Sequence, residues 1–215
     1  MRRIITLRTY TAADLAAADT DTADFCCIIT GGVTANGNLI LLEKYKKRGV
    51  ETIAILREVI RQMQYYKCAA GFIERNRFEG IMRTCQLLVK RGVFGDPVEL
   101  RRLIGRITLI DHYAKSKEER FQDNLQPMHD AGAIWFPRAW DDVRDFFALY
   151  PAVEHDDDGD VIEMLISHSK APSKDVSATI HTSVAESLHT KSDVSINAQL
   201  AKRHYNIWTG SFRRS

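Results

Sequence analysis

The chain lacks several features that would assign it to a class at once. Its longest apolar runs are too short to span a bilayer, and no cleavable signal is visible in its first residues, MRRIITLRTY. It has no G-x-x-x-x-G-K-S/T phosphate-binding loop and no internal repeat. We therefore expect neither a membrane segment nor a P-loop ATPase within these 215 residues.

Cysteine is scarce, with four residues and no CxxC pair. Each cysteine lies in or beside an apolar run: Cys26, Cys27, Cys68 and Cys85. This spacing does not favour a zinc site, so we expect buried, reduced thiols in a reducing compartment. The sequence also shows no Ser-His-Asp or Cys-His pattern that would indicate a protein nucleophile.

Charge of one sign is not in excess. The chain has 30 Lys and Arg against 28 Asp and Glu, which gives a formal net charge of +2. A chain this balanced is not an obvious polyanion binder, so any nucleic-acid surface must be a local patch. With 45% hydrophobic and 27% charged residues, the composition is that of an ordinary globular domain with a tail.

Hydrophobic periodicity predicts a mixed α/β domain over residues 1–168. Three strands of an antiparallel meander come first, with the Asn36-Gly37 pair as a hairpin turn. We predict strands or extended segments at 4–16, 23–34, 39–49, 68–74, 106–112 and 133–138, and helices at 50–67, 77–92, 116–132, 140–151 and 159–168. Residues 169–215, rich in Ser and Thr, are predicted to form a mobile or extended tail.

Acidic residues at predicted strand ends are the main functional signal. Asp14 closes the first strand, and Glu74 closes the strand at 68–74. The stretch YPAVEHDDDGDVIEML adds an aspartate cluster: Asp156, Asp157, Asp158 and Asp160. If these regions converge, their carboxylates repel one another unless cations bind, and Mg²⁺ or Mn²⁺ suits such oxygen-rich sites. Two ions roughly 4 Å apart could clamp the oxygens of a phosphodiester displacement.

Each acid also has a purely structural interpretation. Asp14 could serve in a turn or cap, and Glu74 could pair with Arg75 or Arg77. The aspartate cluster could be a helix N-cap followed by a solvated turn. An EF-hand is excluded, because loop registers starting at 154 or 156 place no Glu at the twelfth position.

Six segments, in order, resemble the nuclease domain of phage and herpesvirus-type terminase large subunits. They run from about residue 5 to 168: ADLA, TADF, IERNRFEG, KSKEERF, HDAGAIWFP and DVRDFFALYPAVEHDDDGDVIEML. The resemblance implies an RNase H-like fold, in which a mixed sheet of about five or more strands is flanked by helices. It also implies a two-metal endonuclease, with Mg²⁺ or Mn²⁺, that cleaves double-stranded DNA with little sequence specificity during viral genome packaging.

The same resemblance implies partners and a location. In terminases a P-loop ATPase domain precedes the nuclease domain, and the small terminase subunit and the portal act with it. The expected location is the cytoplasm of the infected host cell. Because this chain has no P-loop, we expect it to be the nuclease half of a longer protein or a separate subunit.

By resemblance, the catalytic and metal-binding roles fall to Asp14, Glu74 and either Asp157 or Asp160. The family motif continues Asp-Ala where Val follows Asp160 here, and the additional aspartate leaves two registers open. Asp157 is favoured slightly as the direct ligand, but a spacing of three residues on a helix lets Asp157 and Asp160 both reach the metals. Asp156 is predicted to be a helix cap or to lie just outside the direct ligands.

Local positive charge could hold DNA. Two basic segments are predicted to contact phosphates without reading sequence: Lys46, Lys47 and Arg48 after the third strand, and Lys115, Lys117 and Arg120 in KSKEERF. The alternative is that these side chains form a solvated face of the domain.

Two other functions remain open from the sequence. The chain could be a different RNase H-like enzyme, such as a junction resolvase or an integrase, since these also use a few acids on the same sheet. It could instead be a DNA-binding or assembly module without catalysis, whose acid cluster is vestigial.

Overall fold

The computed structural model describes residues 6–15, 25–75, 86–87, 89–92, 96–111, 115–152 and 156–172, and the backbone of 205–206 and 211–212. Most of the helix predicted at 77–92 lies outside these ranges, although positions 86–87 and 89–90 are helical. Cys85, Arg77 and most of the predicted tail also lie outside them.

Six strands form one mixed sheet in the order β5-β4-β1-β2-β3-β6. The strands are β1 (Leu7–Asp14), β2 (Cys26–Thr34), β3 (Leu39–Lys47), β4 (Ala70–Glu74), β5 (Ile107–Ile110) and β6 (Ile134–Trp135). The first three make an antiparallel meander, β4 pairs parallel to β1 and β5 parallel to β4, and β6 pairs parallel to β3. The prediction of an α/β fold, with a mixed sheet of five or more strands that contains an antiparallel three-strand meander, is confirmed.

The turn between β2 and β3 follows from the Asn36-Gly37 pair. Gly37 has φ +83°, a backbone conformation that glycine adopts without steric cost. The amide of Gly37 donates to the carbonyl of Thr34, which closes the turn at 3.0 Å. The predicted hairpin is therefore present at the predicted position.

The helices lie on both faces of the sheet. They are α1 (Thr52–Tyr65), α2 (Pro97–Ile104), α3 (Lys117–Arg120), α4 (Gln126–Asp130), α5 (Asp141–Leu149) and α6 (Asp157–His168). A π-helical turn, Phe121–Leu125, joins α3 to α4. The helix predicted at 116–132 is thus divided, and Pro127 lies in the first turn of α4, directly after the π-helical turn.

Helix α2 was not predicted from the sequence, although its start carries a clear signal. The side chain of Asp96 accepts a hydrogen bond from the amide of Val98, and Pro97 follows the cap directly. The helix buries Leu100, Leu103 and Ile104 against the α1 side of the sheet.

Alternation along the strands divides the core into two layers. Tyr10 and Ala12 of β1 join the layer that contains α5, α6 and the π-helical turn. Ala13 joins the opposite layer, with α1 and α2. Because neighbouring strand residues point to opposite faces, Asp14 lies on the α6 face, in line with Tyr10 and Ala12.

The three cysteines that the structure describes are free and buried, as predicted: Cys26, Cys27 and Cys68. In the tail, Tyr205–Asn206 (β7) and Ser211–Phe212 (β8) pair as two antiparallel strands. None of the helices in the described ranges has the length and apolar character needed to cross a membrane.

Candidate functional site

Asp14 and Glu74 lie side by side at the carboxyl ends of two parallel strands. Ala13 of β1 is in register with Ile73 of β4, so the next residues of both strands are neighbours. Phe72 belongs to the α6 layer, as Ala12 does, and alternation therefore places Asp14 and Glu74 on that same face. The two carboxyl groups share a hydrogen bond.

Helix α6 brings the aspartate cluster to this pair. The helix packs on β1 and β2 through a fully buried apolar side: Val161, Ile162, Met164 and Leu165. Gly159 in its first turn allows close contact with the aromatic layer, because a Cβ there would lie 2.3 Å from Cζ of Phe146. The N-terminal turn of α6 is therefore held beside the ends of the strands.

Asp14 is close enough to the three other predicted acids for their charges to affect its pKa. Burial raises the pKa of Asp14 to about 7, and the negative charges of Glu74, Asp160 and Asp157 add to this effect. These acids come from β1, β4 and α6, which are far apart in the sequence. The structure thus brings together Asp14, Glu74, Asp157 and Asp160.

Lys117 stands between two acids of this cluster. Its ammonium pairs with the carboxylates of Asp156 and Asp160, and Arg120 also contacts Asp160, at 3.4 Å. Burial raises the pKa of Asp160, while the nearby Lys117 opposes that shift. Asp156 is at the N-cap position of α6, as predicted, but its side chain accepts no capping hydrogen bond and pairs with Lys117.

A second lysine, Lys46, contacts the other side of the cluster. Its ammonium lies 2.6 Å from Asp158 and 3.3 Å from Oδ2 of Asp157. Asp158 is only 2% exposed, and Lys44 adds a second cation at 3.5 Å. Burial is the largest influence on the pKa of Lys46 and lowers it, but the hydrogen bond to Asp158 and the negative charges of Asp158 and Asp157 together outweigh burial, so the pKa is raised. The pair is therefore a charged, nearly buried anchor.

The pairing of Lys46 with Asp158 was not predicted from the sequence, although the sequence pattern contains an indication of it. Asp158 precedes Val161, Ile162 and Leu165 by three, four and seven residues, so it falls on the apolar stripe of its own helix. An acid on such a stripe needs a buried partner. Lys44 and Lys46 are two residues apart on β3 and so face one side of the sheet.

Arg120 is paired inside the domain. Glu163, which is 1% exposed, accepts from Arg120 at 2.6 Å and from Asn124 at 2.8 Å. Ser167 donates a further hydrogen bond to the same carboxylate. Glu163 was also missed from the sequence, and its partners show that Arg120 ties α3 to α6.

The six cations predicted to bind DNA fall into two groups by their contacts and exposure. Three of them contact the acid cluster or Glu163: Lys46, Lys117 and Arg120. The other three are exposed: Lys47 lies over the ring of Tyr45, Arg48 over the ring of Phe25, and Lys115 pairs with Asp123. Of the partners predicted for Glu74, Arg75 pairs with Asp111 at 3.0 Å.

The chemistry of the cluster fits a hard divalent cation. All donors are carboxylate oxygens, and Oδ2 of Asp157 is buried without a hydrogen-bond partner. In the described ranges, no three His, Cys, Asp or Glu side chains are grouped so that they could hold a metal ion as they stand. Metal binding would thus require side-chain movement, and Lys117, Arg120 and Lys46 are cations that now contact these acids.

Comparison with known proteins adds no relative. No model of a known protein family matches the chain, and no curated protein matches it.

Proposed function

We propose that this chain is a metal-dependent endonuclease that hydrolyses phosphodiester bonds of double-stranded DNA with little sequence preference. The observation that carries the proposal is the pairing of β1 with β4, which sets Asp14 beside Glu74, together with the effect of the charges of Glu74, Asp157 and Asp160 on the pKa of Asp14. Carboxylates this close repel one another, and bound divalent cations offset that repulsion. The resemblance of six sequence segments to terminase nuclease domains supports the same activity.

The sheet and helix α6 would each supply two of the proposed metal ligands. Two bound Mg²⁺ or Mn²⁺ ions would activate a water molecule and neutralise charge on the phosphate. Asp14 and Glu74 supply oxygens from the rigid sheet, while Asp157 and Asp160 supply them from the first turn of α6. Asp157 remains the favoured direct ligand, because its buried Oδ2 has no hydrogen bond and one ion pair, with Lys46 at 3.3 Å, whereas the Asp160 carboxylate pairs with both Lys117 and Arg120.

Duplex DNA would be held through its phosphates. Lys47, Arg48 and Lys115 are exposed and can reach a backbone without reading its sequence. Lys46 is fixed by Asp158 and stays close to the acids, where it can face a phosphate. We further propose the terminase setting, with an ATPase domain, a small subunit and a portal as partners in an infected host cell.

The direct test is cleavage of a linear duplex in Mg²⁺ or Mn²⁺. Asp14→Asn should abolish cleavage, because it replaces a charged ligand by a neutral one of the same shape. Asp141→Asn is the matched control, because Asp141 is exposed and pairs with the nearby Arg144 on α5. Cleavage that survives Asp14→Asn would overturn the proposal.

The substrate is tested by comparing a linear duplex, a four-way junction and an RNA–DNA hybrid of the same sequence. A terminase-like nuclease should cut the linear duplex at many positions. Preference for the junction or the hybrid would favour a different RNase H-like enzyme. Failure to cut any of them, together with unchanged melting in Mn²⁺, would favour a DNA-binding or assembly module.

A further inference from the structure

We propose that Lys117 is an internal counter-ion of the acid cluster, which divalent cations displace and which then binds a DNA phosphate. This inference rests on the proposed function, since it concerns the same site. It predicts that metal binding and DNA binding are coupled through one side chain.

The position of Lys117 makes it the replaceable cation of the site. Its side chain is 28% exposed, against 14% for Lys46, and its partners Asp156 and Asp160 are 41% and 19% exposed, against 2% for Asp158. Lys46 has a buried partner, Asp158, that would be left uncompensated if the lysine moved, which is costly. The pairs made by Lys117 are partly solvated, and such pairs contribute little free energy.

Asp160 explains why an exchange is needed. Lys117 and Arg120 both contact this carboxylate, and Arg120 remains tied to the buried Glu163. A divalent cation at Asp160 would be repelled by the ammonium of Lys117, since like charges a few ångströms apart destabilise one another. Lys117 therefore competes with the metal, whereas Arg120 keeps α3 attached to α6.

Release of Lys117 has a consequence for DNA. Once Asp160 holds a cation, the ammonium keeps only its partly exposed pair with Asp156, which contributes little free energy, and can pair with a phosphate oxygen. Without metal, Lys117 stays with Asp156 and Asp160 and adds nothing to DNA affinity. DNA would thus gain one phosphate contact only when the site is loaded.

The first test measures Mn²⁺ binding without DNA, by titration calorimetry or by the electron paramagnetic resonance signal of free Mn²⁺. Lys117→Gln should tighten Mn²⁺ binding by about three- to tenfold, the range expected when partly exposed ion pairs stop competing. Lys117→Arg, which keeps the charge, should stay close to the wild type. Lys115→Gln is the matched control, because Lys115 lies in the same segment and pairs with Asp123 outside the cluster.

The outcomes separate this inference from the proposed function. If the wild-type chain binds no Mn²⁺, the proposed metal site does not exist, and the proposed function is wrong as well. If the wild type binds Mn²⁺ and Lys117→Gln leaves affinity unchanged or weakens it, the proposed function survives and the counter-ion role of Lys117 is wrong.

The second test measures duplex DNA binding against salt concentration, in Ca²⁺ to avoid cleavage and in EDTA. In Ca²⁺, Lys117→Gln should reduce the salt slope by about 1, as loss of one phosphate contact does. In EDTA the slope should match the wild type. An equal reduction in both conditions would mean that Lys117 contacts DNA without exchange, and no reduction in Ca²⁺ would mean that it does not contact DNA.

Discussion

At the scale of single residues, Asp14 should make the stability of the metal-free chain depend on pH. Its folded pKa of about 7 is above the ordinary value of 3.8, so the folded state binds a proton that the unfolded state releases. Below about pH 4 Asp14 is protonated in both states, and the stability that this proton gives is fully present. That stability is lost as the pH rises from about 4 through 7. Thermal melting in EDTA at a series of pH values between 4 and 8 should show this contribution to the melting temperature falling as the pH rises.

Asp14→Asn removes the titrating group but keeps the shape. The variant should melt roughly 3–8 °C above the wild type at pH 8 in EDTA, because a buried repulsive charge is absent. At pH 4 the two proteins should melt at similar temperatures. A wild-type stability that rises between pH 5 and 7 while the variant stays flat would contradict the raised pKa.

Lys46 should stabilise the fold through Asp158. Lys46→Met leaves the buried Asp158 carboxylate with Lys44, at 3.5 Å, and the weak donor Cys27 Sγ, at 3.6 Å, so we expect a loss of about 2–3 kcal/mol, below the full cost of an unpaired buried charge. Lys47→Met, one residue along the same strand, alters an exposed side chain on the other face and should change stability by less than about 0.5 kcal/mol. Urea denaturation measures the free energy of unfolding of both variants. Equal losses in the two variants would contradict a stabilising role for the Lys46–Asp158 pair.

The sequence predicted some of these residues and not others, for a physical reason. Asp14 and Glu74 could be found because a charge at the end of a buried strand is unusual. The three consecutive aspartates could not be assigned from their order alone, since their directions depend on where α6 begins. With Asp156 at the N-cap position, Asp158 turns into the sheet and Asp157 toward Asp14.

At the scale of elements, Gly159 sets how closely α6 approaches the aromatic layer. In Gly159→Ala the new methyl would lie 2.3 Å from Cζ of Phe146, whose ring is 2% exposed and packed against Phe121 and Tyr150. Because the ring cannot move away, α6 must shift, at a cost of about 1–3 kcal/mol. The metal-induced change in melting temperature should also shrink.

A second substitution provides the control. Phe146→Leu removes the ring atoms that would clash with the new methyl group. The double variant Gly159→Ala with Phe146→Leu should therefore lose less stability than the sum of the losses in the two single variants. Simple additivity in urea denaturation would show that the clash does not determine the position of α6.

The elements differed in how well their patterns could be interpreted. The meander and α1 follow from alternation and from apolar residues at helical spacing, and both are present. Helix α2 has eight residues, too few for periodicity to stand out, and only its Asp96-Pro97 start indicates it. The π-helical turn adds a residue to one helical turn, and no rule of spacing in the sequence predicts that insertion.

At the scale of the whole molecule, strand order explains the site. Pairing β4 parallel to β1 places the carboxyl ends of both strands at one edge of the sheet, which brings Asp14 beside Glu74. The connection through α1 covers the opposite face and leaves this face for α6. Fold class was predictable because it depends on element order, whereas the lysine contacts depend on side-chain packing that sequence patterns do not encode.

Metal binding should therefore raise the melting temperature of the whole domain, and the size of the increase should depend on pH. At pH 8 Asp14 is ionised, and saturating Mn²⁺ should raise the melting temperature by about 3–8 °C. At pH 5.5 the cation must first displace a proton from Asp14, so the apparent affinity should fall by at least about tenfold and the shift should shrink. Asp14→Asn should show a small shift at both pH values. A wild-type shift of equal size at pH 5.5 and 8 would mean that Asp14 does not hold the cation.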